Sequence, residues 1–271
     1  MVLGARRAPQ PALRRWYAGN ERKILGLGSF VLFFALWELG TDTGLLPALF
    51  VSSPSEIIRE AASELPTYQF WNDVRISVVE LVIGFAIGSA AGIIVGLLAG
   101  WYRRFNYFID PWLSFFYALP RIALLPLIVL WLGLTIKSVI VAVILGAFFT
   151  VTINTASGVR RVDRRLLDVA TSFRASRARV FRTVVLPSSV PFILAGLRLG
   201  VGHALTGVFI GELYAANQAG LGYMIVAAGQ QFEPSVILFG VMIFTILGLI
   251  FIESLRLLEE RFQRWRPKAA A

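Results

Sequence analysis

Cysteine is absent from the 271 residues, so neither a disulfide framework nor a thiolate-ligated metal site can form. Histidine occurs once, at His203, which excludes paired-imidazole motifs such as H-E-x-x-H. No G-x-x-x-x-G-K-[ST] is present, so the chain carries no P-loop for ATP. No acid, base, nucleophile and metal-ligand set converges, which argues against a membrane enzyme. No internal repeat is visible, including the inverted repeats of many secondary transporters. Charge is sparse: Asp, Glu, Lys and Arg make up 15% of the chain, against about 25% in soluble domains.

What fills the chain instead is apolar. Hydrophobic residues make up 57% and the mean hydropathy is +0.72. Several runs reach the roughly 20 residues needed to cross a bilayer core. Six spans are expected, at about 24–39, 76–100, 107–134, 137–157, 192–213 and 235–255. No small-x-small cleavage site follows the first run, which reads as an uncleaved helix. Pro111, Pro120 and Pro126 interrupt the third span. Glycines at 84, 88, 92, 96 and 100 form a stripe four residues apart on the second. Such a stripe admits a neighbouring backbone closely, either within the subunit or across a dimer. Residues 55–65 read as an amphipathic surface helix capped by Ser53 or Ser55, and 214–234 as a re-entrant or surface segment.

The net charge of +10 is not a nucleic-acid signature, because the basic residues lie between apolar runs. Six fall in the basic tail 1–23, two in the 101–106 turn, eight over 160–182 and five in the tail 256–271; Arg59, Arg75 and Lys137 fall on the other side. The positive-inside rule then places both termini and the 158–191 loop in the cytoplasm. Trp16, Trp37, Trp101, Trp112, Trp131 and Trp265 fall near expected span ends, as interface aromatics do.

The loop is the largest polar insertion. Leu166, Val169, Ala170 and Phe173 share one helical face; Val180, Phe181, Val184 and Val185 share another. Ser176 is placed to cap the second helix and Pro187 to end it.

This stretch resembles the cytoplasmic loop of binding-protein-dependent ABC importer permeases, E-A-A-x-x-x-G followed by L-P. Asp168, Val169 and Ala170 stand at E-A-A, Arg174 at the glycine, and Leu186-Pro187 at L-P. A glycine there would supply a left-handed helix end; Arg174 must adopt it at about 1–2 kcal/mol or keep the helix right-handed. Leu119–Leu134 is similar to the nitrate, sulfonate and taurine branch, whose pattern is P-P-x-A-x-x-P-L-x-x-x-W-F-G; Arg121 replaces the second proline. Gly84-Phe85, Gly196-Leu197-Arg198, Glu212 and Gly220-Leu221-Gly222-Tyr223 fit the same branch, and the likeness spans about residues 25–260.

The resemblance implies an all-α polytopic permease of the type I ABC importer kind, multi-pass in a bacterial inner membrane. It is expected to bind no cofactor itself, ATP and Mg belonging to partner ATPase subunits. Its other expected partners are a second permease copy, an extracytoplasmic substrate-binding protein and the bilayer, with no nucleic acid. Asp168, Val169, Ala170, Thr171, Ser172, Phe173, Arg174, Leu186 and Pro187 form the expected ATPase-coupling loop; the alternative is a helix resting on anionic lipid. The expected substrate is a small anion; the alternatives are a neutral heterocycle, or an ATP-independent transporter or channel.

Four ionisable residues inside spans are pathway candidates. Arg121 either lines the pathway or pairs with Glu80. His203 is a pathway group or a packed histidine, and Glu212 a gate or an interface carboxylate. Arg198 is expected to snorkel to the inner interface.

Overall fold

A computed structural model describes residues 12–47, 50–215 and 219–262. Trp265, the distal parts of both tails and positions 216–218 lie outside the described residues. Everything regular within them is helical. α1 spans Ala12–Asp42, α2 Pro54–Glu64, α3 Tyr68–Trp101 and α4 Arg103–Ala118. A 3-10 turn, Arg121–Leu124, leads into α5, Leu125–Leu132. α6 is Ile136–Arg160, α7 Arg164–Ser172 and α8 Arg177–Val180; a π-turn, Phe181–Val185, joins α8 to α9, Leu186–Ala215. α10 (Leu221–Gln231) and α11 (Pro234–Phe262) close the order. Five helices among the described residues are long and apolar enough to cross a membrane, and the bent pair α4–α5 brings the number to six.

α6 is the axis of the bundle, with α3 and α9 packed along it. The core runs through Leu81 of α3, Val139, Val143 and Ala147 of α6, and Ala204 and Val208 of α9. In lipid, helices gain nothing by hiding apolar surface from water, so they associate through close contact. The glycine stripe supplies it within the subunit: Gly84 faces Val143, Gly96 faces Thr155 and Gly100 faces Val159. A Cβ on Gly88 or Gly92 would stand 2.8 Å from the carbonyl oxygen of Ile144 or Phe148. Packing against α6 therefore occupies the stripe, not a dimer contact.

Two expectations need correction, and one, the interruption of the third span, is narrowed to a single proline. Residues 12–23 do not stand apart from the first span as a tail; its helix propagates back to Ala12, adding a hydrogen bond per residue once nucleated. The third span breaks at Leu119-Pro120, where both residues are extended, and the axes of its two halves differ by 90°. The residue before a proline avoids the helical region, so the break falls there. Pro187 does not end the second loop helix, which runs into the fifth span as a segment from Arg177 to Tyr214. The π-turn just ahead widens the helix, and the Leu186 N–H reaches back to Phe181, which makes room for a ring that lacks a donor.

Candidate functional site

Arg121 opens the 3-10 turn at the break in the third span. Its Nη1 donates to the carbonyl of Gly146 at 3.0 Å, and its guanidinium lies 5.5 Å from the centre of the Tyr117 ring. α6 and α9 come close here because Gly146 faces the backbone of His203. The result is a cavity of about 210 Å³, lined by Arg121, Ile122, His203, Thr206 and several aliphatic side chains, with no carboxylate among them. A guanidinium set among apolar walls and holding one clear carbonyl bond has donors left for an anion.

Glu80 and Glu212 do not line this cavity, and Glu80 does not pair with Arg121. They meet each other, side chain to side chain, between α3 and α9. Around them lies a buried polar cradle. Glu80 is 1% exposed, Ser77 2%, Glu212 3% and Asp73 4%. The cradle holds the start of α10. Asp73 accepts from the Gly220 N–H at 2.8 Å, Ser77 Oγ from the Leu221 N–H at 2.9 Å, and Glu212 from the Gly222 N–H and the Ser77 hydroxyl. These are the donors a helix N-terminus leaves unpaired, and carboxylates suit its positive end. Gly220 has φ +112, and a Cβ there would enter the Glu212 carboxyl group.

Asp73, Ser77 and Gln69, whose amide donates to Asp73, went unmarked at the level of sequence. The signal was available: Gln69, Asp73, Ser77 and Glu80 recur at helical spacing along one face of an otherwise apolar helix. Tyr117 gave none.

The loop is ordered by its caps. Asp163 caps α7 through the Arg165 N–H at 2.9 Å, and Ser176 caps α8. Leu167 and Ala170 pack with Val159, Val162, Val180 and Val185. Leu166, Val169 and Phe173 are left exposed, Phe173 at 83%. Ala170 thus turns inward while its expected face-mates turn out. Thr171 and Ser172 are exposed, and their hydroxyls donate back to the carbonyls of Leu167 and Asp168. Arg174 takes the left-handed conformation, φ +52. Its N–H donates to Thr171 O at 2.8 Å, and that of Ala175 donates to Ala170 O at 3.1 Å. That pair of bonds is a Schellman motif, in which glycine usually occupies the left-handed position. Asp168 stands exposed on α7, and Leu186 and Pro187 open α9. Among the described residues no group of three or more His, Asp or Glu is arranged to hold a metal ion.

Residues 88–264 match the family described as "Binding-protein-dependent transport system inner membrane component". The chain is 32% identical over 235 residues to the SsuC permease protein of Bacillus subtilis (strain 168), named for aliphatic sulfonates transport, covering 87% of this chain and 85% of that one. It is 28% identical to the taurine transport system permease protein TauC of Escherichia coli (strain K12), covering 93% of each. It is 29% identical to the formylaminopyrimidine transport permease protein ThiX of Halalkalibacterium halodurans, covering 94% of this chain and all of that one. In fold it is similar to a chain of the inward-facing MetNI methionine ABC transporter, with a TM-score of 0.56 at 16% identity over 71% of this chain and 93% of that one.

Proposed function

The chain belongs to the family of binding-protein-dependent transport system inner membrane components, and from that premise we propose that it is a permease subunit that passes a small organic or inorganic anion along the cavity faced by Arg121. The observation that carries this reading is a guanidinium inside the spans, facing a cavity without a carboxylate. A charge there costs about 2.5–3.5 kcal/mol on insertion scales if it faces lipid, and turning it toward a wet path avoids that cost. The names of the sulfonate and taurine relatives agree with an anionic cargo.

Energy would come from ATPase subunits that hold ATP and Mg, docked on the exposed Leu166–Val169–Phe173 face of α7. The Arg174 turn and the unbroken α8–α9 helix would carry their motion into the fifth span. In this reading both termini and the loop are cytoplasmic, two permease copies flank the path, and an extracytoplasmic binding protein delivers cargo. The end bearing α2 has a groove of about 530 Å³ lined by Glu56, Arg59, Glu60 and Glu233 that suits such a delivery surface.

The test uses proteoliposomes containing the permease with its ATPase subunits and binding protein. Arg121→Gln is expected to reduce taurine or methanesulfonate uptake to background while assembly and basal ATP hydrolysis persist. Undiminished sulfonate uptake would overturn the anion reading. A neutral heterocycle is the second reading, supported by the full-length likeness to the formylaminopyrimidine permease and by the apolar walls of the cavity. It predicts formylaminopyrimidine uptake that survives Arg121→Gln.

A further inference from the structure

A second cavity, of about 450 Å³, lies where α3 ends, between Leu98, Trp101 and Tyr102 on one side and Arg177, Phe181 and Arg182 on the other. Trp101 and Phe181 form its floor, with ring centres 5.4 Å apart. No acid lines it, and among the described residues neither the Arg177 nor the Arg182 guanidinium has a hydrogen-bond or ion-pair partner. Two free guanidiniums over an aromatic floor make a recess for a phosphate-sized anion, since Arg matches phosphate oxygens with its planar fork.

The position of the recess points to the source of that anion. Trp101 and Tyr102 terminate an apolar helix, and Arg177 and Arg182 belong to the first turns of the segment that becomes the fifth span, so the recess sits at a membrane–water boundary. Ile83, Ile87, Ile94 and Leu98 are each 38% exposed or more. At 100° per residue they form one stripe on α3, on the face opposite the glycines that hold α6. The ten or so residues of α3 before Trp101 cover about 15 Å, half the thickness of a bilayer core. A charged recess thus continues directly into an apolar strip at least one leaflet deep.

We propose that this recess binds an anionic phospholipid, with its phosphate between Arg177 and Arg182, its glycerol region against Trp101 and Tyr102, and an acyl chain along Leu98 and Ile94. The lipid would bridge the end of α3 and the α8–π-turn hinge through which the loop joins the fifth span. Lipid headgroup charge would then bias the position of the loop. The proposal does not depend on the identity of the transported solute.

The test is native mass spectrometry of the full chain, purified in neutral detergent and exposed to equal amounts of phosphatidylglycerol and phosphatidylcholine of the same chain length. Both lipids carry the phosphate, but only the first is a net anion. Phosphatidylglycerol is expected to be retained about tenfold more, as charge-assisted bonds to two arginines allow. Arg177→Gln/Arg182→Gln should bring the ratio close to one, and Arg177→Lys/Arg182→Lys should keep part of it. If the double glutamine variant does not fold, the single variants should each lower the ratio. The same change at Arg164 and Arg165 on α7 should leave it intact. An unchanged ratio in the glutamine variants would overturn the proposal, as would an equal loss from the α7 control. Displacement by glycerol 1-phosphate at the lipid's own concentration would assign the recess to a soluble phosphate instead. Loss of bound lipid when the ATPase subunits are added would assign it to that partner.

Discussion

At the end of the bundle where α3 begins, acidic side chains are turned inward. Asp73, Glu80 and Glu212 are buried, and Asp73, Glu212 and Ser77 hold the first amides of α10. At the end where α3 stops, charge is turned outward. Arg164, Arg165, Arg174, Arg177, Arg179 and Arg182 stand exposed, and so do Leu166, Val169 and Phe173 of α7. The first end turns most of its polar groups to the chain's own amides and hydroxyls, with the Glu80 Oε2 left without a hydrogen-bond partner among the described residues. The second leaves cations and apolar side chains for something outside the chain. A buried hydrogen-bonded acceptor is expensive to remove because its partners lose their bonds with no water to replace them. An exposed side chain costs the fold little and costs a partner much. The comparison teaches that substitutions at the cradle should be felt as stability, and substitutions at the loop as lost association.

The largest effect is expected at Gly220. Gly220→Ala forces a side chain onto φ +112 and into the Glu212 carboxyl, which should cost about 2–4 kcal/mol from strain and overpacking together. Thermal unfolding of the purified chain, followed by tryptophan fluorescence, should show the drop; an unchanged midpoint would break the contrast at its strongest point. Val169→Glu makes the reciprocal case at the loop. The side chain is 54% exposed, so stability should stay within about 0.5 kcal/mol, while co-purification of ATPase subunits should be lost. Ala170 is the poorer probe, because it packs against the loop's own core. Retained co-purification with retained transport would favour a lipid-resting helix.

Ser77→Ala comes next. It strips a partner from the Leu221 N–H and from Glu212, for an expected cost of about 1–3 kcal/mol, read as faster hydrogen exchange over 220–224. No change there would mean that the cradle is not what fixes α10.

The smallest effect concerns Glu56 of the capped helix α2. A hydrogen bond from Ser52, then the backbone N–H of Ser53, hold its carboxyl below the usual value of 4.5. A carboxylate with a lowered folded value contributes stability that is present above pH 4.5 and lost as the pH falls through the lowered value. Protease cleavage within 54–64 should therefore rise on acidification below pH 4.5. Glu56→Gln, which can still close a capping box, should flatten that dependence; an identical acid profile in the variant would assign the loss elsewhere.

How much of this was legible in advance depended on range. The Ser53 cap of α2, the Ser176 cap of α8 and the six apolar segments were legible because each is settled within a few neighbouring residues. The fate of Pro187 was not, because it turned on a π-turn accommodated by Val180 and Val185 packing on Val159. Arg174 could be narrowed to two conformations, and the bonds to Thr171 and Ala170 selected the left-handed one.

The amino-acid sequence by itself determined that this chain is a set of membrane helices with one basic amphipathic loop, and it carried motifs of an importer permease. The reason is that a bilayer offers no hydrogen-bond partners, so each apolar segment must satisfy its own backbone as a helix whatever its neighbours are. Only the tertiary structure decided which polar groups meet. Ser77 and Glu212 are 135 residues apart and Asp73 and Gly220 147 apart, while Arg121 reaches a carbonyl 25 residues on and so turns away from Glu80. Those pairings follow from how closely α3 and α9 approach α6 through glycines, a property of packed surfaces that no single stretch of sequence contains.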